Sequence, residues 1–305
     1  MTVMPRPAPD RPAAATDWRM ALLGLSLLFV AVSARAWIIP GRAKAVPSGP
    51  GVAVGYGVAP DGLDRIGPVW YMDYGFAGRA RPGHQRLFFA GLHDPVKDVA
   101  QAARLNPGEW WTFGNEPNDP NQDNIPPEAY VRPYHDFYFA LKRADPQARV
   151  VPTGVANADW RWLDAWRSAY RSAYGRYPPV DGWRFHNYLL DTCSGAMDAT
   201  EFERRAVEFR EWTRRIGDGN RPILLTEYGV LYGNGCCNCP HFAEADVIAY
   251  MRATSRWLRA SGIVTGWMWF SLDSENRFNG DLFHNGEILP AGEAYRELVS
   301  ESRGK

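Results

Sequence analysis

The chain has 305 residues, 46% of them hydrophobic and 22% charged, which is the composition of a soluble globular protein and excludes a disordered or fibrous one. Lysine plus arginine and aspartate plus glutamate number 34 each, so no net field draws the chain to nucleic acid or to anionic lipid. The 13 Trp, 14 Tyr and 14 Phe exceed what a core needs, and Trp and Tyr are side chains that stack on flat apolar faces such as those of sugar rings.

Residues 1–18 are rich in Pro, Ala and Thr without apolar periodicity and read as a disordered tail. After Arg19 an apolar run extends from Met20 to Ala34 and is broken by Arg35. That is short for a bilayer span, which needs about 20 residues, and suits the apolar region of a signal peptide. Residues 19–39 are therefore expected to be a signal peptide cut near Ala34 or Ala36, or a retained membrane tether lengthened by Ala36 to Ile39; a buried core helix is the alternative. Either exported form is secreted or anchored to the outer face of the cytoplasmic membrane. Residues 40–50 lack a pattern and read as a linker, leaving 51–305 as the folded domain.

Eight short β-type runs follow: Val52–Tyr56, Val69–Tyr74, Arg86–Leu92, Glu109–Gly114, Arg149–Val155, Gly182–Tyr188, Pro222–Gly229 and Val264–Leu272. Helical periods lie between the later ones, as in Phe202, Ala206, Phe209 and Ile216, or Val247, Met251 and Leu258. Alternation of this kind over roughly 250 residues predicts an α/β fold, a (β/α)8 TIM barrel, with the first two βα units shortened because few residues separate those strands. Pro133 is expected to start or kink the helix after the fourth strand. A doubly wound sheet is the alternative fold, but Gly55-Tyr56-Gly57-Val58-Ala59-Pro60 fails its phosphate-binding pattern.

In such a barrel, functional residues project from the C-terminal ends of strands. The fourth run ends Gly114-Asn115-Glu116-Pro117 and the seventh contains Leu225-Thr226-Glu227-Tyr228-Gly229, each an apolar strand delivering one carboxylate at its tip. Two facing carboxylates are the equipment of glycoside hydrolysis. Together with Phe185-His186-Asn187-Tyr188 and Trp267-Met268-Trp269-Phe270, these segments resemble the clan A retaining glycoside hydrolases, and within them the small catalytic-core domains that include endo-β-1,3-glucanases.

The resemblance implies that Glu116 is the acid/base, Glu227 the nucleophile and Asn115 a donor to the sugar 2-hydroxyl. His186 and Tyr188 share a strand face and are expected to orient the carboxylates or bind substrate. Trp269 is the expected stacking platform, with Tyr228, Tyr71 and Asp73 as further substrate-binding candidates and Tyr74 pointing away. Asn118, Asp119 and Asn121 read as ordinary turn chemistry. The implied activity is a retaining glycosidase, endo more readily than exo, acting on a β-linked poly- or oligosaccharide; a non-catalytic carbohydrate-binding protein on the same barrel is the rival. No cofactor, no metal and no nucleic acid partner is expected, and a monomer is.

Cys193 follows the sixth strand, and Cys236, Cys237 and Cys239 follow the seventh. In an exported chain this even count predicts two disulfides, one within or near Cys236 to Cys239 and one tying Cys193 to the next loop. A zinc site with His241 or a redox pair are the alternatives.

Overall fold

The structure, a computed structural model, describes residues 43–233, 239–275 and 277–303. The expected tail, signal or anchor segment, Cys236 and Cys237 lie outside the described residues. Among the described residues no helix is long and apolar enough to cross a membrane.

All eight expected strands form, each shorter than its run or shifted by a few residues: β1 Gly49–Ala53, β2 Trp70–Met72, β3 Gln85–Ala90, β4 Trp110–Phe113, β5 Arg149–Val151, β6 Trp183–His186, β7 Ile223–Tyr228 and β8 Gly266–Phe270. They are parallel, in the order β5-β4-β3-β2-β1-β8-β7-β6, and a parallel bridge from Val155 to Phe185 spans the remaining gap between β5 and β6. A (β/α)8 barrel results. The first unit keeps only a one-turn helix, α1 Leu63–Ile66, and no helix joins β2 to β3. The full helices are α2 Val96–Leu105, α3 Pro127–Ala144, α4 Trp160–Tyr174, α5 Ala199–Arg215, α6 Glu244–Ser261 and α7 Pro290–Arg303. A short antiparallel pair, β9 Phe283–His284 and β10 Glu287–Ile288, precedes α7. Helix α3 begins at Pro127 and runs through Pro133.

The expected linker is partly built into the barrel. Gly49 and Pro50 pair with Gly266 and Trp267. Just before them, the Lys44 amide donates to the Gly108 carbonyl, and its ammonium pairs with buried Glu109.

Alternation along the strands sorts side chains into two cores. Inside the barrel lie Ala53, Trp70, Met72, Leu87, Phe89, Trp110, Val151, Leu224 and Met268. Between barrel and helices lies a larger cluster that includes Phe88, Trp111, Phe185, Tyr228, Trp267 and Trp269, with Phe202, Phe209, Val247 and Met251 from the helices facing it. Phase therefore decides function: of neighbouring strand residues, one is interior and the next is packed under a helix.

Every helix except α4 carries an acidic residue in its first turn, and every helix carries a basic residue in its last. Both placements complement the helix dipole. The loops after β6 and β7 are joined by a disulfide between Cys193 and Cys239, which is the expected tie from Cys193 to the next loop.

Candidate active site

Glu116 and Glu227 meet at the C-terminal ends of β4 and β7. After β4 the chain turns sharply: Gly114 and Glu116 both take positive φ, 80° and 44°. Such a conformation costs a non-glycine residue about 1–3 kcal/mol and persists where neighbours enforce it. Here the Asn115 amide donates to Asp123 Oδ2 at 2.6 Å and the Glu116 amide to the Gly154 carbonyl at 2.9 Å. On β7 the pairing register shifts between Leu225 and Tyr228, where a bulge re-aims the side chain between them. One carboxylate oxygen of Glu116, one of Glu227 and one ring nitrogen of His186 all lie within 4.8 Å of one another.

His186 sits between the two acids. Its Nδ1 is 2.7 Å from Glu116 Oε1, and its Nε2 is 3.4 Å from Glu227 Oε1. Tyr188, next on the same face, donates its hydroxyl to Glu227 Oε2 at 2.9 Å. Beneath them lies Arg184, which the sequence reading passed over and which is fully buried. It donates from Nε to Thr226 Oγ1 at 2.6 Å, from Nη1 to Thr112 Oγ1 at 2.8 Å, and from Nη2 to Asn115 Oδ1 at 3.4 Å and His186 Nε2 at 3.0 Å. The other half of Asn115, its Nδ2, donates to Gln122 Oε1 at 3.3 Å.

Burial dominates the electrostatics. It pushes the Glu116 carboxyl up to about 8, with repulsion from Asp119 and Asp123 adding to it and Arg184 opposing. It raises Glu227 as well, against the pull of the buried Arg184 guanidinium. The His186 imidazole is driven down to about 3, so the ring is neutral at ordinary pH. Tyr74, which was expected to point away, has a buried hydroxyl that interacts with Glu227.

The acids open into a cleft of about 390 Å³. Asn115, Glu116, Tyr188 and Glu227 line it as expected; Tyr56, Tyr74, Asp119, Asn121, Phe270 and Phe278 line it without having been assigned there. His186 supports the floor from below, fully buried.

Four expected substrate contacts fall elsewhere. Trp269 is 0% exposed, donates its indole N–H to the Gly280 carbonyl and packs edge-on against Tyr228. Tyr228 shares its hydroxyl with Ser255 on α6. Both therefore point outward, under the helices, while Phe270 takes the cleft-facing phase of β8. Tyr71 is in the outer core and its hydroxyl accepts from the Arg81 amide. Asp73 is held in an ion pair with Arg86 at 2.8 Å.

Glu116, His186 and Glu227 offer three donor atoms close enough to hold a cation. The set does not suit one. Both ring nitrogens of His186 are engaged, and the Arg184 guanidinium already supplies a buried positive charge against Nε2.

Comparison with known proteins agrees with the barrel fold. A search of curated proteins found no match. Among solved structures, the chain resembles a GH128 subgroup I endo-β-1,3-glucanase from Amycolatopsis mediterranei in complex with laminarihexaose, with a TM-score of 0.63, 20% identity, and coverage of 82% of this chain and 99% of that one. A subgroup II endo-β-1,3-glucanase from Sorangium cellulosum is similar at TM-score 0.62 and 19% identity over 82% and 98% of the chains. A subgroup III curdlan-specific exo-β-1,3-glucanase from Blastomyces gilchristii, in complex with glucose, gives 0.60 and 18% over 80% and 97%. At these identities the likeness is one of fold. The model of the glycosyl hydrolase catalytic core matches residues 70–295, from the start of β2 into α7 and across both carboxylates. The chain belongs to the glycosyl hydrolase catalytic core family.

Proposed function

We propose that the protein is a retaining glycosidase that cleaves β-linked glucan, β-1,3-glucan first among candidates and in endo mode, with Glu116 as acid/base and Glu227 as nucleophile. The observation that carries this reading is the approach of the two carboxylates, with one oxygen of each within 4.8 Å of the other. Double displacement wants the carboxyl groups about 5–5.5 Å apart, whereas inversion leaves room for a water at about 6.5–9.5 Å.

The assignment of roles follows from the neighbours. Tyr188 donates to Glu227, and a hydrogen bond to the charged form favours it, so Glu227 is the member that ionises. Glu116 faces Asp119 and Asp123, whose charges oppose its ionisation, so it keeps the shared proton. In the first step Glu227 attacks the anomeric carbon while Glu116 protonates the departing oxygen, giving a glycosyl ester and a shortened chain. In the second, Glu116 takes a proton from water, which attacks the same carbon and frees Glu227. Asn115 would donate to the sugar 2-hydroxyl, and Tyr56 and Phe270 line the cleft where sugar rings would stack.

An exported location goes with this reading: the apolar run before Arg35 suits export, and the disulfide between Cys193 and Cys239 suits an oxidising compartment.

Proton NMR of a laminari-oligosaccharide digest tests the mechanism. Retention gives the β-anomer first; an α-anomer means inversion. Wild-type protein that binds the oligosaccharide without turning it over is a carbohydrate receptor, which overturns the proposal. Glu116→Gln should lower kcat by about 10²–10⁴, and Glu227→Gln should abolish turnover.

A further inference from the structure

Arginine can only donate hydrogen bonds, and its Nη2 lies 3.0 Å from Nε2 of His186. That nitrogen must therefore offer its lone pair, and in a neutral ring the single hydrogen then resides on Nδ1, facing Glu116 Oε1 at 2.7 Å. We propose that Arg184 is a positioning residue that locks His186 in the Nδ1–H form, so that Oε1 of Glu116 is permanently an acceptor and the acid's proton is confined to Oε2. The inference rests on the glycosidase reading for its consequence in catalysis, though not for the tautomer itself.

Two observations make the lock rigid. Arg184 is held at the same time by Thr226 of β7, Thr112 of β4 and the carbonyl of Gly114, so its guanidinium has no freedom to leave the ring. Gly154 closes in on the same edge of the ring, since a Cβ there would stand 2.5 Å from His186 Nε2 and 3.0 Å from Arg184 Nε. Without the guanidinium, Nε2 would be free to carry the hydrogen and donate it to Glu227 Oε1, 3.4 Å away. That swap would leave Nδ1 as an acceptor and draw the acid's proton onto Oε1, away from the leaving oxygen.

The groups facing Arg184 are Glu116 from the end of β4, Glu227 from β7, Tyr74 following β2 and Tyr130 from α3, besides His186 on its own strand. Its charge holds both carboxyls lower than burial alone would leave them.

Nitrogen-15 NMR of histidine-labelled full-length protein reads the tautomer directly. The expected spectrum shows His186 neutral between pH 5 and 8, with a protonated Nδ1 and an unprotonated, pyridine-type Nε2; an Nε2–H ring or an imidazolium overturns the proposal. Arg184→Met removes donor and charge, and should lower kcat at least ten-fold with KM little changed while moving both limbs of the pH profile upward. Arg184→Lys restores a donor and a charge and should recover most of the loss. A folded Arg184→Met with wild-type kcat and unshifted limbs also overturns it, and if that variant fails to fold the wild-type spectrum decides. Wild-type protein with the expected tautomer but no glucan hydrolysis would remove the function proposed above and leave this inference standing.

Discussion

His186 and Glu116 are joined across 2.7 Å, from the tip of β6 to the turn after β4, with the ring fully buried and neutral. A neutral donor leaves Glu116 without the full positive partner that would lower its pKa. This is why burial can carry the carboxyl up to about 8.

Activity should follow from that value. The acid acts only while protonated, so kcat/KM is expected to fall as pH rises through about 8. The nucleophile acts only when ionised, and since burial raises Glu227, the acidic limb should lie above the ordinary carboxylate range. A pH–rate profile on a soluble oligosaccharide measures both limbs, which belong to the coupled pair. An alkaline limb found near the normal glutamate range would contradict the structure of this site.

Tyr188→Phe deletes the hydroxyl that donates to Glu227 Oε2 at 2.9 Å while keeping the ring that packs against Phe270. A hydrogen bond to a charged group is worth about 1.5–3 kcal/mol. Part of that should appear as a ten-fold or larger fall in kcat, because the bond shapes the attacking carboxylate and not the remote sugar subsites. Steady-state kinetics separates the two, and a change confined to KM would assign Tyr188 to substrate binding instead.

Gly154→Ala should be more damaging than its single methyl suggests. The added carbon would meet His186 Nε2 at 2.5 Å, His186 Cδ2 at 2.8 Å and Arg184 Nε at 3.0 Å, all in a buried layer with no space to yield. Overpacking costs about 1–3 kcal/mol in stability, visible by thermal denaturation. The larger effect is expected in kcat, through displacement of the imidazole from Glu116. Wild-type turnover in this variant would show that the layer is softer than its contacts imply.

The disulfide between Cys193 and Cys239 closes a loop of 46 residues, for which chain entropy gives about 4 kcal/mol. Reduction or Cys239→Ser should lower the Tm accordingly. It should also raise KM, because Leu190 and Leu231, on the two tied loops, line the cleft. A thermal shift without a kinetic one would confine the bridge to a structural role.

The order of strands and the two carboxylates were legible because the strands are short, mostly apolar runs, and β4 and β7 each deliver a carboxylate at the C-terminal end. Which face looks inward was not legible in β8. A barrel strand is apolar on both sides, so Trp267, Met268, Trp269 and Phe270 give no alternation to read, and the larger residues proved to be the outer ones. Tyr74 and Asp119 reach the cleft from irregular backbone, Tyr74 with a φ of 54°, where strand periodicity carries no information. Arg184 did leave a signal. A lone cation between Trp183 and Phe185, in phase with His186, is out of place in an apolar strand unless it serves a buried network.

The end-to-end sorting of helix charges should act as a filter on polymers before any subsite is filled. All of these helices return antiparallel to the strands, so their acidic first turns gather around the mouth, where Asp119 and Glu227 already stand, and their basic last turns gather at the opposite end. A chain with no net charge is thus expected to concentrate acidic side chains at its mouth, offset in part by Arg277 on the cleft wall. Uncharged glucans should cross it freely, whereas uronate-bearing or sulfated chains should be repelled over about a Debye length. Carboxymethylated glucan should therefore be hydrolysed more slowly than the neutral polymer at low ionic strength, with the gap narrowing as salt is added; a gap insensitive to salt would place the discrimination inside the cleft.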